Sequence, residues 1–231
     1  MSNDEFAQHI SRQFNDELEE VRSHLLTMGG MVEKQVADAV SSLVNADSAL
    51  ALEVLTTEKK INSMELAIDE ECTRVIAVRQ PAASDLRLLV VATKANIDLE
   101  RMGDEASKIA KMAIKLSEDG VLPKGYIEVR HIGAHVCAML HDALDAFARF
   151  DADLALEVVH EDHSVDMEYE SAMRQLVTFM MEDPRYITRV LNVLWSLRAL
   201  ERIGDHARNI AEHVIYLVKG RDVRHLPLEE L

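Results

Sequence analysis

Apolar side chains recur every three or four residues through most of the chain, the period of a helix that buries one face. In the first such stretch, from Phe14 to Val44, the stripe is Leu18, Val21, Leu25, Met28, Val32, Val36, Ala39 and Leu43. Gly29-Gly30 removes side-chain bulk within it, which marks either a kink or a close helix contact. Asp47 suits an N-cap, and a second helix from about Ser48 to Val78 follows on Val54, Ile61, Ile68, Cys72 and Val75. Pro81 ends that region, and Ser84 or Asp85 can cap a third helix running to about Leu116. Glu118 to Gly125 carries the clearest linker signals. Beyond it the pattern predicts helices from Tyr126 to Arg149, from Ala152 to Met181 after an Asp151 cap, and from Arg185 to Lys219 after Asp183-Pro184, with a frayed tail past Gly220.

These six helices are one three-helix pattern used twice. Leu50-Ala51-Leu52-Glu53-Val54 reappears as Leu154-Ala155-Leu156-Glu157-Val158, and the same step of 104 residues carries Gly29 to Gly133, Asp38 to Asp142 and Asp47 to Asp151. The step is 103 from Pro81 to Pro184 and 101 from Glu100 to Glu201, so only loop lengths have drifted. Such register argues for duplication of one supersecondary unit. The expected fold is all-α: two tandem antiparallel three-helix bundles, residues 1–119 and 126–221, joined by a linker at 120–125, ending in a tail at 222–231, and packed side by side.

Composition sharpens this in three ways. Strong helix formers dominate while only 4% of residues are aromatic, which points to an all-helical chain. A formal charge of -16 with no basic stripe excludes nucleic-acid binding and favours cations or basic protein surfaces as partners. Cys72 and Cys137 are too few for a disulfide framework and read as buried free thiols in a cytosolic protein. Met1-Ser2-Asn3-Asp4-Glu5 lacks the basic and apolar regions of a secretory leader, and charges such as Lys94 and Arg198 interrupt every apolar run that might otherwise cross a bilayer.

The candidate chemistry lies in an acidic motif that the duplication repeats. Glu100-Arg101-Met102-Gly103-Asp104 and Glu201-Arg202-Ile203-Gly204-Asp205 each set two carboxylates four residues apart, about 40° from one another on a helix. Asp162 interrupts the apolar seam of the fifth helix, with Asp166 one turn on; Glu58 and Asn62 hold the mate positions on the second. Each half thus brings an acidic pair from its third helix toward an acidic or amide pair from its second. Like charges at that spacing cost about 0.2–0.5 kcal/mol even in water and more when desolvated, so such a cluster calls for a cation. Oxygen-only donors suit Mg²⁺ or Mn²⁺, and carboxylate clusters also hold iron or zinc. Gly103 and Gly204, unfavourable inside helices, suggest close approach or room beside a ligand.

Other readings compete. Asp104 has Lys108 at i+4 and Asp98 has Arg101 at i+3, whereas Asp205 has only Arg208, so plain ion pairing weighs more in the first half than in the second. Glu128-x-x-His131 and Glu157-x-x-His160 have the spacing of di-iron bundles but do not recur at their repeat mates. By helical angle His206 and His213 project away from Glu201, which predicts exposed side chains rather than ligands. A carboxylate-bridged metalloenzyme and a metal-free acidic scaffold remain alternatives; no nucleophile triad, phosphate loop or Cys-x-x-Cys pattern is present to support catalysis.

Met28-Gly29-Gly30-Met31-Val32-Glu33, Arg79-Gln80-Pro81-x-x-Ser84-Asp85-Leu86-Arg87, Leu144-Asp145-Ala146-Phe147-Ala148-Arg149, Met180-Met181-Glu182-Asp183 and the paired Glu-Arg-x-Gly-Asp motifs resemble the PhoU family of bacterial phosphate-transport regulators, from about Phe6 to Leu226. The resemblance implies two tandem three-helix bundles and a non-enzymatic role. A member would repress the phosphate-starvation response by linking the ATPase subunit of the phosphate ABC importer to the sensor histidine kinase. It also implies metal ions at Glu58, Asn62, Glu100 and Asp104 in the first half and at Asp162, Asp166, Glu201 and Asp205 in the second; Asn62 stands where the family pattern has Asp, which leaves the first site one negative charge fewer and predicts weaker binding there. Arg149 becomes a candidate kinase contact, and a homodimer sharing ions between acidic seams becomes plausible.

Overall fold

Each helix in the computed structural model, which describes residues 3–119 and 127–223, starts and stops for a local reason. Helix α1 spans Asn3–Asn45 and α2 spans Ser48–Arg79, with the Asp47 carboxylate accepting from the Leu50 N–H at 3.0 Å. Gln80 closes α2 in the left-handed region (φ 49°), its N–H bonded to Ile76 O. Helix α3 spans Ala83–Asp119, so Ser84 and Asp85 lie within its first turn instead of preceding it as expected caps. Helix α4 spans Ile127–Arg149 and α5 spans Ala152–Glu182, where Asp151 accepts from the Asp153 and Leu154 N–H groups at 3.0 Å. Asp183-Pro184 opens a short 3₁₀ turn, Pro184–Tyr186, and α6 follows over Ile187–Lys219, closed by Gly220 at φ 68°. Helix α1 begins well before its apolar stripe, because backbone bonding carries a helix past the segment that packs. The linker at 120–125, Tyr126 and the tail from residue 224 lie outside the described residues.

Helices α1–α3 form one antiparallel trio and α4–α6 the other, the duplicated architecture expected. The trios lie side by side. The most extensive helix pairing in the molecule is α3 against α6, and α1 packs against α4. One hydrophobic cluster runs through both, joining Met28, Val32 and Leu99 of the first trio to Val136, Leu200 and Ile210 of the second. Among the described residues no helix is long and apolar enough to cross a membrane. Cys72 is buried, but Cys137 is only partly so and faces a groove of about 430 Å³ between α1 and α4.

The α1–α4 contact explains the glycines. A Cβ on Gly29 would lie 2.5 Å from a methyl of Leu144, and one on Gly133 would lie 2.7 Å from a methyl of Val40. These are the same contact made twice, because Gly133 and Leu144 are the repeat mates of Gly29 and Val40. Gly29 therefore marks close approach rather than a kink, and α1 runs unbroken through it. Gly30 has nothing within 4 Å of a notional Cβ.

The two glycine environments predict substitutions of opposite sign. Val40 is stiff at χ1 within its helix and cannot yield easily, so Gly133→Ala should cost about 1–3 kcal/mol. Gly30→Ala should gain up to about 1 kcal/mol from helix propensity. Urea unfolding followed by circular dichroism reads both; a destabilised Gly30→Ala variant would contradict the open space assigned there, and an unaffected Gly133→Ala variant the contact with Val40.

Two acidic clusters as candidate metal centres

In the first cluster Glu100 and Asp104 on α3 face Glu58 and Asn62 on α2. Glu58 is half-buried and held by neutral donors: Ser107 Oγ at 2.9 Å and Gln35 Nε2 at 3.1 Å both donate to its Oε2. With its amide set to satisfy both groups, Asn62 donates to Glu58 Oε1 at 3.0 Å. Loss of hydration raises the Glu100 pKa, and the charges of Asp104, Glu58 and Glu65 raise it further. Gln35 comes from α1, and its Oε1 is buried without a hydrogen-bond partner. A Cβ at Gly103 would stand 3.1 Å from that oxygen and 3.2 Å from Glu58 Oε2, so glycine leaves room where these oxygens converge.

The second cluster sets Glu201 and Asp205 on α6 beside Asp162 and Asp166 on α5. Asp162 is buried, Asp166 and Glu201 are half-buried, and Asp205 is exposed on one side. Lost hydration is again the first cause of raised pKa values at Asp162, Glu201 and Asp205, and their mutual charges and that of Asp166 add to it. Gly204 is less crowded, with Asp162 Oδ1 3.8 Å from a notional Cβ. Arg208 Nη1 lies 3.0 Å from Asp162 Oδ2 and Arg198 pairs with Glu201 Oε1, while Glu201 Oε2 is buried and unpartnered.

The ion pairs are the reverse of those expected. Arg208 serves Asp162 and Glu212 instead of Asp205. Lys108 leaves Asp104 and binds Glu105 Oε1 at 2.9 Å, because Glu105 is buried at the α3–α6 seam and needs cations more; Arg202 also reaches it at 3.1 Å. Among the described residues the first cluster thus has no bonded basic side chain, and the second, expected to be the freer, has two. Chemically, both sets offer hard oxygen donors with at least one buried oxygen unsatisfied, which suits a divalent cation. Among the described residues, however, no three or more Asp, Glu, His or Cys side chains are grouped so that they could hold a metal ion as they stand.

The remaining candidates separate from these clusters. His131 meets Glu168 of α5 at 3.2 Å rather than Glu128, and Arg149 is exposed, with its Nε 2.9 Å from Asp145. His206 and His213 do point away from Glu201 but are buried, not exposed, since α3 covers that side of α6. They meet Asp98 of α3, not paired with Arg101 as its spacing suggested: His206 Nδ1 lies 2.9 Å from Oδ1, His213 Nε2 3.4 Å from Oδ2, and Asn209 donates to Oδ1 at 3.2 Å. Burial alone would push the Asp98 carboxyl up, but these three bonds bring it down to about 2. The only sequence signal for this seam is the broad apolar arc of the sixth helix, in which Val193, Leu197, Leu200, Ile203, Ala207 and Ile210 cover more than one face.

The PhoU domain family matches residues 25–113 and 129–214. The chain is 64% identical over 231 residues to the phosphate-specific transport system accessory protein PhoU homolog of Pseudomonas aeruginosa, covering 100% of this chain and 96% of that protein. It is 50% identical over 223 residues to the Escherichia coli K12 phosphate-specific transport system accessory protein PhoU, covering 96% and 92%. The crystal structure of PhoU from Pseudomonas aeruginosa superposes with a TM-score of 0.89 at 66% identity, covering 90% of this chain and 100% of that one. The phosphate transport system regulatory protein PhoU of Streptococcus pneumoniae gives 0.84 at 30% identity, covering 91% and 99%.

The Asp98 network yields a signed pH prediction. Its folded pKa of about 2 lies below the ordinary value of 3.8, so its stabilisation is fully present above about pH 4 and is lost as pH falls toward 2. Asp98→Ala should cost about 1–3 kcal/mol at pH 7 by leaving buried donors unpaired, a gap that narrows below pH 4 in denaturant titrations. A gap independent of pH would contradict the assignment.

Proposed function

The chain belongs to the PhoU family, and on that premise we propose that it is the regulatory accessory protein of a phosphate-specific transport system. The observation that carries this reading is the match of both halves to the PhoU domain together with high identity to accessory proteins of that system over the whole chain. The finer role is that of a non-enzymatic cytoplasmic adaptor. It couples the ATPase subunit of the phosphate importer to the sensor histidine kinase, holds the starvation response off when phosphate is plentiful, and works as a homodimer. The exposed guanidinium of Arg149 belongs to the surface proposed to meet the kinase.

Metal binding is the second part of the proposal. Glu58, Asn62, Glu100 and Asp104 would hold ions in one bundle, and Asp162, Asp166, Glu201 and Asp205 in the other. Mg²⁺ and Mn²⁺ suit these donors best, with iron or zinc also compatible. A bound ion would supply the positive charge that the raised pKa values of Glu100, Asp162, Glu201 and Asp205 call for. The chain's contribution is to place the donors on two helices, α2 with α3 and α5 with α6, so that a shared ion stiffens each pair. Their oxygen-only character and position on the molecular flank favour this over an internal di-iron enzyme site.

Two measurements test the two parts separately. Deleting the gene should switch phosphate-starvation genes on in phosphate-rich medium; unchanged transcript levels would overturn the regulatory reading. Elemental analysis after incubation with Mg²⁺, Mn²⁺, Zn²⁺ or Fe²⁺ should find metal in the wild type and little in Glu100→Ala, Asp104→Ala, Glu201→Ala, Asp205→Ala combined. A wild type free of all four ions would remove the metal part and leave the regulatory part intact.

A further inference from the structure

Duplication sets the acidic clusters up as copies, and three exchanges between repeat mates, Asn62 for Asp166, Ile97 for Arg198 and Ser107 for Arg208, make them electrically unlike. Glu58 and Asp162 are repeat mates, and so are Ser107 and Arg208. In the first cluster the Ser107 hydroxyl, a neutral group, donates to Glu58 Oε2 at 2.9 Å. In the second a guanidinium takes that place, with Arg208 Nη1 3.0 Å from Asp162 Oδ2 and Nε 3.0 Å from Glu212 Oε1. Asp162 and Glu212 are both buried, so Arg208 is held from two sides. The support from the neighbouring helix differs as well. Gln35, 1% exposed, turns an unpartnered Oε1 toward the first cluster, while its repeat mate in the second is the apolar Met139.

Resting on the reading that both clusters take divalent cations, we infer that the two sites are unequal. The first is the tight site and uses Gln35 Oε1 as an additional neutral oxygen donor. The second is occupied without metal by the chain's own cation, the Arg208 guanidinium, which an incoming ion must displace from Asp162 or face at close range. Three carboxylates with no bonded arginine stand against four carboxylates with two, so the uncompensated negative charge is larger in the first. A divalent ion also gains more where the donors it meets are not already hydrogen-bonded to a positive group. The first site therefore fills at low ion concentration and the second responds to changes above that level.

Manganese titration of the chelator-treated, full-length protein tests this, by calorimetry or from the electron paramagnetic resonance of free Mn²⁺. The wild type should show two classes separated about 10- to 100-fold, the range associated with changing the groups that support metal ligands. Glu100→Gln should abolish the tight class and Asp205→Asn the weak one, and Gln35→Met should weaken the tight class alone. Arg208→Gln should tighten the weak class toward the strong one, while Arg208→Lys, which keeps the charge, should leave it weak. Helical circular dichroism matching the wild type verifies that each variant folds. Equal classes in the wild type, or a weak class indifferent to Arg208→Gln, would overturn the inequality while the metal reading stands. No Mn²⁺ binding by the wild type would overturn the metal reading and the inequality with it.

Discussion

Helices α3 and α6 lie against one another along the middle of the molecule, and the rest of the structure follows from what that contact demands. Each is the third helix of its trio and must serve its own two partners as well as its counterpart. The result is a helix with little water-facing surface at its centre: Leu99, Met102, Ala106 and Ile109 of α3, and Leu200, Ile203, Ala207 and Ile210 of α6, are all buried. Polar groups in that zone must find partners inside the protein. Asp98 does so with His206, Asn209 and His213, and Glu105 does so with Lys108 and Arg202. What remains polar on the other side of each helix is the Glu-Arg-x-Gly-Asp motif.

The same two helices therefore carry the seam between the trios on one face and the acidic clusters on the other. Arg202 belongs to the motif of the second half by sequence and to the seam by structure, where it reaches Glu105 of the opposite trio. Glycine does a different job at each level. At Gly29 and Gly133 it lets α1 and α4 approach, and at Gly103 it opens space between Gln35, Glu58 and the backbone of α3.

Duplication explains why the molecule has two of everything, but electrostatics explains why the copies differ. The Ser-to-Arg exchange between repeat mates keeps both trios folded, with Ser107 buried and bonded to Glu58 and Arg208 half-buried and bonded to Asp162 and Glu212. It is decisive for an ion, because one cluster then brings its own positive charge and the other does not. The paired glycine contacts were kept for the opposite reason: a Cβ closer than 3.0 Å to a neighbouring atom is a packing error in either half.

How much of this was legible in the chain depends on the range of the interaction. The 3.6-residue periodicity, the Asp47 and Asp151 caps, the Pro81 and Pro184 breaks and the 104-residue repeat are local or self-referential, so the amino-acid sequence by itself determined six helices in two equal trios and located the paired carboxylates on them. Local spacing does not fix which partner a charged side chain takes. Lys108 takes Glu105 at i−3 over Asp104 at i−4, Arg208 takes Glu212 at i+4 together with Asp162 of α5, and Asp98 passes over Arg101 for α6. His206 and His213 likewise faced away from the acidic motif as their angle required, but the solvent expected there was another helix. Only the tertiary structure decided these pairings, because helical spacing offers every charge several reachable partners and burial against a distant segment selects the one whose desolvation must be compensated.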